Sequence, residues 1–354
     1  MSAVTFSIKT ICWSQYEQRT PILLQEENGP CPLLAIVNTL LLQADIGART
    51  SEIDNPGLRK VVDKTRDLRN VLLACGDRIL LDLVVETLAN YLQQNSDLDN
   101  KSLAIVVSHL PSLIQGLDVD INLITGTCST EGLAHMLFQG FGLEFTHGWC
   151  REPYLGLSSD AVFEDHQTYD KIQDFLLKDN SGAAFEIREW LEKNSTQLTD
   201  YGLQVMDKTL RADLVSVFFR NNHFSTLYKG ANHDFYLLIT DRDFSAHENY
   251  VWQSLNSISG GEDLFFTGDL TPLIEEGLTN ERPEDTADRR FAAELQEQED
   301  IAMAKRLQQK YDEPSKNASR ARQPSDKHRA QQSSKKLQND PKEEKKKTKG
   351  CMIV

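Results

Sequence analysis

Apolar residues recur with two different periods along this chain. Val4, Phe6 and Ile8 alternate and Ile22-Leu23-Leu24 follows, which predicts one or two short strands. Residues 33–42 are apolar on most faces, as in a buried helix, and the helix is expected to reach about Ala44. A polar, glycine-containing link covers 45–59. Helical spacing returns over 77–93, carried by Ile79, Leu80, Leu83, Val84, Leu88, Tyr91 and Leu92. Residues 103–114, 129–140, 168–178, 183–193 and 199–210 also read as helices, and 129–140 has cap residues at both ends. Between Asp213 and Thr240 the period falls to two. Residues 214–219, 223–228 and 235–239 read as three strands, with turns at Asn221-Asn222 and Gly230-Ala231-Asn232. Helices first, then an antiparallel sheet, define an α+β domain.

The pattern stops near residue 275, which divides the chain into four parts. Residues 1–275 are expected to form the main folded domain, 276–285 a polar linker, 286–312 a charged helix and 313–354 a disordered tail. The tail is rich in Lys, Ser and Gln and carries too little apolar surface to fold.

Charge sharpens this division. The formal net charge is -15, yet residues 314–350 hold 12 Lys+Arg against 4 Asp+Glu. The rest of the chain holds 26 against 49. An acidic body with a basic tail argues against nucleic acid as a partner of the folded part and suits a partner with a basic face. The six cysteines form no C-x-x-C pair and no cluster with histidine, so neither a metal nor another cofactor is expected. There is no signal-peptide pattern and no apolar run of the ~18–20 residues that cross a bilayer. A reduced cytoplasmic setting follows.

One cysteine stands apart. Cys31 lies in Gln25-Glu26-Glu27-Asn28-Gly29-Pro30-Cys31-Pro32-Leu33, between a Gly-Pro break and an apolar helix with proline in its first turn. Unpaired N–H groups and the positive end of the helix dipole favour a thiolate there. Gln25, six residues upstream, can donate to an oxyanion beside the sulfur. The plain alternative is a buried, inert thiol. A cysteine nucleophile needs a histidine, which can lie far away in sequence. His223 begins a strand after the Asn221-Asn222 turn, so it is held at a sheet edge where a helix N-terminus can approach. An early cysteine on a helix and a late histidine on a strand is the order of papain-like thiol proteases. Asp241, ending the third strand, and Ser225, on the same strand face as His223, both remain candidates to orient the imidazole, and Asp241 reads equally as a turn residue.

These segments resemble the MINDY family of deubiquitinases. The resemblance rests on the Cys31 motif and on Asn222-His223-Phe224-Ser225-Thr226-Leu227. His147-Gly148-Trp149, Ile239-Thr240-Asp241 and Val251-Trp252-Gln253-Ser254-Leu255 extend it over roughly residues 5–270. It implies a papain-like cysteine isopeptidase acting on polyubiquitin, with preference for the proteasome-targeting lysine linkage. It implies Cys31 as nucleophile, His223 as general base and acid, and Gln25 as oxyanion donor. Trp149 can then hold an apolar patch on ubiquitin or belong to the core.

The C-terminal part adds two motifs. Ala292 and Leu295 start an A-x-x-L-Q pattern that Ala304 and Leu307 repeat 12 residues later. Each resembles the MIU ubiquitin-interacting motif. Twelve residues leave the two patches ~120° apart around a helix, which suits two ubiquitin units. A solvated or coiled-coil helix is the simpler alternative. Cys351-Met352-Ile353-Val354 fits the C-a-a-X prenylation signal, and five nearby lysines supply the polybasic patch that stable anchoring needs. The chain is therefore expected to associate peripherally with a cytosolic membrane face. Two other functions compete with the deubiquitinase: a papain-like protease or transferase on ordinary peptides, and a non-catalytic ubiquitin adaptor.

Overall fold

The structure is a computed structural model. It describes residues 4–13, 18–26, 32–50, 56–255, 257–258 and 263–273, which belong to the compact unit Met1–Glu275. Cys31 falls outside the described residues, as do Ala292, Leu295, Ala304, Leu307, Cys351 and all of 276–354.

Two sheets hold the strands. β1 (Thr5–Trp13) pairs antiparallel with β2 (Gln18–Leu23) on one side and β3 (Arg78–Leu80) on the other. The larger sheet runs in simple sequence order. It contains β4 (Phe145–Thr146), β5 (Leu214–Arg220), β6 (His223–Lys229), β7 (Phe235–Leu238), β8 (Trp252–Ser254) and β9 (Phe265–Phe266). The three strands read from the alternation are β5, β6 and β7. β4 joins the edge in parallel, so the sheet is not purely antiparallel. Strands of two or three residues are too short to show a period, which is why β4, β8 and β9 left no signal.

The helices depart from the periodic reading where polar side chains turn inward. α1 (Pro32–Thr50) runs past Ala44 because Asp45 is buried and satisfied, accepting from Thr20 and pairing with Arg69. Arg69 comes from α2 (Pro56–Cys75), which overlaps the expected polar link and places Leu68 and Leu72 in the core. The 77–93 pattern splits into β3 and α3 (Leu81–Asn95). Residues 103–114 divide between α4 (Asn100–His109) and a 3-10 turn that begins before Pro111. α5 (Leu133–Phe141) starts after Ser129, whose hydroxyl closes a local turn onto Glu131 N–H instead. The short α6 (Asp160–Asp165) precedes α7 (Tyr169–Leu176), α8 (Gly182–Lys193) and α9 (Asp200–Thr209).

α1 is the spine of the unit. Leu33, Ile36, Val37, Leu40 and Leu41 enter a core with Leu88, Phe138, Val217, Phe219 and Phe224. Leu42 and Ile46 enter a second core with Trp13, Tyr228 and Trp252. Leu227, Phe218, Leu198 and Met206 pack together in a third.

Trp149 is a core residue and not a surface contact for a partner. It is 5% exposed, stacks on Trp190 at 5.9 Å and meets Tyr169 at 5.5 Å. The neighbouring Gly148 explains the burial. A Cβ on Gly202, in the first turn of α9, would stand 1.8 Å from Gly148 O, so backbone packs directly on backbone there. Thr199 completes the joint, donating its N–H to Gly148 O and its hydroxyl to Cys150 O.

Candidate active site

The candidate site residues lie at the start of β6 and along the segment that carries Gln25. Asn221 and Asn222 have φ of 49° and 55°, the left-handed pair of a tight two-residue hairpin turn. Asparagine tolerates this conformation better than most residues. The turn sets Arg220 opposite His223. Arg220 then fastens the hairpin tip by donating to Thr196 O and Ile258 O, at 2.8 and 2.7 Å. His223 is half-buried, and burial pushes its pKa below the ordinary imidazole value. The ring is neutral near pH 7 and able to accept a proton.

α1 runs alongside β6 in the same direction. Thr226 reaches both Ala35 O and the Thr39 hydroxyl, at 3.5 and 3.0 Å. Further on, Gln43 donates to Val215 O, and Val215 pairs with Tyr228. Three strand residues back from Thr226, ~10 Å, lies His223. Six or seven helical residues cover that distance. They lead back from the Ala35–Thr39 level to the first turn of α1. Pro32 therefore lies near the level of His223, and Cys31 precedes Pro32 in the chain.

The pleat adds a constraint that the sequence did not reveal. Phe224 and Thr226 face α1, so His223 and Ser225 lie on the other face, with Leu227. His223 can meet a group at the helix N-terminus only around the end of the sheet. Its first-in-strand position permits that; Ser225, two positions further in, is less well placed.

Gln25 is held beside this end by the backbone. Its N–H donates to Thr240 O at 2.7 Å, and it forms a parallel bridge with Asp241. Carbonyls along a strand alternate sides. Phe235 O accepts from Leu255 next to β8, while Asp234 O accepts from Gly230 on the β6 side. Thr240 O, at even spacing from Asp234, therefore also points toward β6. β6 and β7 pair only as far as Leu227–Leu237. Continuing that register sets Phe224 against Thr240 and His223 against Asp241. The segment carrying Gln25 fills the side of Asp241 that faces His223. Register thus gathers His223, Gln25 and Asp241 at one sheet end, with Gln25 in the middle.

This arrangement separates Asp241 from the imidazole. Its carboxylate accepts the Asp243 N–H at 2.8 Å, capping the 3-10 turn Arg242–Phe244. Asp241 is a turn-forming residue here, not an orienting carboxylate. Among the described residues, no side-chain hydrogen bond orients the His223 ring.

Two positioning residues were missed in the sequence. Asn38 is fully buried in α1; its Oδ1 accepts Leu23 N–H at 2.8 Å and its Nδ2 donates to Leu23 O at 3.0 Å. It locks α1 to the strand leading into Gln25. An asparagine inside an apolar run was the available signal. Lys9, also buried, donates to the carbonyls of Phe244, His247 and Tyr250 and so fixes the loop after Asp241.

The other buried candidates are not reactive groups. Burial raises the Cys150 thiol to about 12 and the Cys128 thiol to about 11. His147 is buried, with its Nε2 bonded to Asn122 O and its Nδ1 accepting Trp149 N–H. Burial lowers its pKa to about 4, so it is a structural, neutral histidine.

In this α+β unit the backbone of Gln25 and the start of β6 share one sheet end, level with the first turn of α1. The family model for MINDY deubiquitinases matches residues 4–270. The chain belongs to that family and is, by membership, a deubiquitinase of the cysteine type. It is 28% identical to ubiquitin carboxyl-terminal hydrolase MIY1 of Saccharomyces cerevisiae, over 85% of this chain and 86% of that one. It is 33% identical to ubiquitin carboxyl-terminal hydrolase MINDY-1 of Rattus norvegicus, over 72% of this chain and 50% of that one. It is 34% identical to ubiquitin carboxyl-terminal hydrolase MINDY-2 of Homo sapiens, over 72% and 39%. The chain thus spans half or less of these two mammalian relatives.

Proposed function

We propose that this chain hydrolyses isopeptide bonds in polyubiquitin by a papain-like mechanism. Cys31 is the nucleophile, His223 the general base and acid, and Gln25 the oxyanion donor. His223 takes the Cys31 proton, and the resulting thiolate attacks the carbonyl of ubiquitin's terminal glycine. Gln25 and a backbone N–H near the helix start stabilise the tetrahedral oxyanion. His223 protonates the departing lysine amine, the C–N bond breaks and a thioester remains. The same ring then takes a proton from water, whose attack frees the ubiquitin carboxylate and returns the thiol. The observation that carries this reading is the shared level of His223, Gln25 and the first turn of α1.

The chain-linkage preference is part of the proposal, as is tandem ubiquitin binding by Ala292, Leu295, Ala304 and Leu307. A prenyl group on Cys351 would tether the enzyme to a membrane. The readout for the central reaction is a panel of linkage-defined ubiquitin chains. The intact protein is expected to cleave the proteasome-targeting linkage selectively. Cys31→Ala is expected to cleave none while still binding chains. Turnover by that variant would refute the assignment.

A further inference from the structure

Glu26 is the last described residue before Cys31. Its carboxylate gathers four donors from three elements. Oε1 accepts Ser7 N–H at 3.1 Å, the Ser7 hydroxyl at 2.7 Å and Arg78 at 3.1 Å. Oε2 accepts Arg242 at 2.9 Å. Burial works against ionisation and is the largest single influence. The Ser7 hydroxyl bond and the two guanidiniums together outweigh it, and the pKa lies below the ordinary glutamate value.

The three anchors have different origins. Ser7 belongs to β1, Arg78 to β3, and Arg242 to the turn that Asp241 caps. The loop beyond Arg242 is itself held by Lys9, from the same strand as Ser7. The backbone bonds repeat this linkage. Leu24 N–H donates to Ser7 O, at 2.9 Å, and Gln25 N–H to Thr240 O, at 2.7 Å. Residues 24–26 thus span from the small sheet to the extension of β7, with Glu26 fastened at both ends. An exposed ion pair stabilises little by itself. One carboxylate shared by two arginines and a serine fixes an orientation more than it adds stability.

We propose that Glu26 is a positioning residue that acts through Gln25. It holds the Gln25 backbone in line with His223, so that the oxyanion donor is preorganised before substrate arrives. This inference rests on the reading of Gln25 as oxyanion donor.

A double-mutant cycle in the full-length chain tests it. Gln25→Ala, Glu26→Ala and the double variant are compared for kcat, KM and Tm on one linkage-defined chain. Gln25→Ala is expected to lower kcat about a hundredfold. Glu26→Ala is expected to lower kcat about tenfold with little change in KM. In the Gln25→Ala background, Glu26→Ala should cost less than about twofold more. Glu26→Gln keeps an oxygen for Ser7 but loses the charge, and should show a smaller loss confined to kcat, at unchanged Tm. Independent, multiplicative losses would overturn the proposal, as would a rise in KM alone. A kcat unaffected by Gln25→Ala would overturn the oxyanion reading itself, and the proposal with it.

Discussion

Burial decides what each titratable side chain can do. Neutral His223 can accept a proton, and as the proposed base its lowered pKa is expected to set the pH response. The base form persists below the ordinary imidazole value, so the acid limb of kcat/KM is expected below about pH 6.5. A limb above that value would contradict a desolvated base. His147 acts on stability instead. Its pKa of about 4 in the fold lies below that of the unfolded chain, so its contribution is complete above about pH 6.5 and falls as pH drops toward 4. The unfolding free energy is expected to fall by about 2 kcal/mol from this residue between pH 7 and 5. Denaturant midpoints at the two values measure it, and His147→Gln should flatten the difference. Asn38→Leu should cost about 3 kcal/mol, because Leu23 would keep two buried backbone groups without partners. Thermal unfolding of that variant tests the lock.

Elements with a long period were legible in the sequence, and short or polar ones were not. β5, β6 and β7 alternate over enough residues to be read, and the Asn221-Asn222 turn told where β6 begins. α1 was read at its start, where proline follows the cysteine, but not at its end, because Asp45 turns inward to Arg69. The catalytic pairing of Cys31 with His223 was inferred from residue types. The level that the first turn of α1 shares with His223 is a property of how α1 lies on β6, which no local pattern encodes. Asp241 stays open between two roles in the sequence because a carboxylate at a strand end looks the same whether it orients a ring or caps a turn. Trp149 was open to two readings until Gly148 and Gly202 were seen in contact. That joint is testable: Gly202→Ala should destabilise the protein by about 3 kcal/mol, since the added methyl meets backbone that has no room to yield. A variant as stable as the parent would mean that the α9 joint is looser than described.

At the scale of the molecule, Met1–Glu275 is expected to carry the chemistry and residues 286–312 to contribute avidity. Deleting 286–312 should weaken cleavage of long chains more than of short ones, with kcat on the shortest chain unchanged. Equal loss on both would contradict the division.

The most direct measurement is covalent capture. Ubiquitin bearing a C-terminal electrophile is incubated with the full chain, and the adduct is mapped by peptide mass. The account predicts one adduct, on Cys31, lost in Cys31→Ala and formed far more slowly in His223→Ala. An adduct on another cysteine, or a rate indifferent to His223, would contradict it.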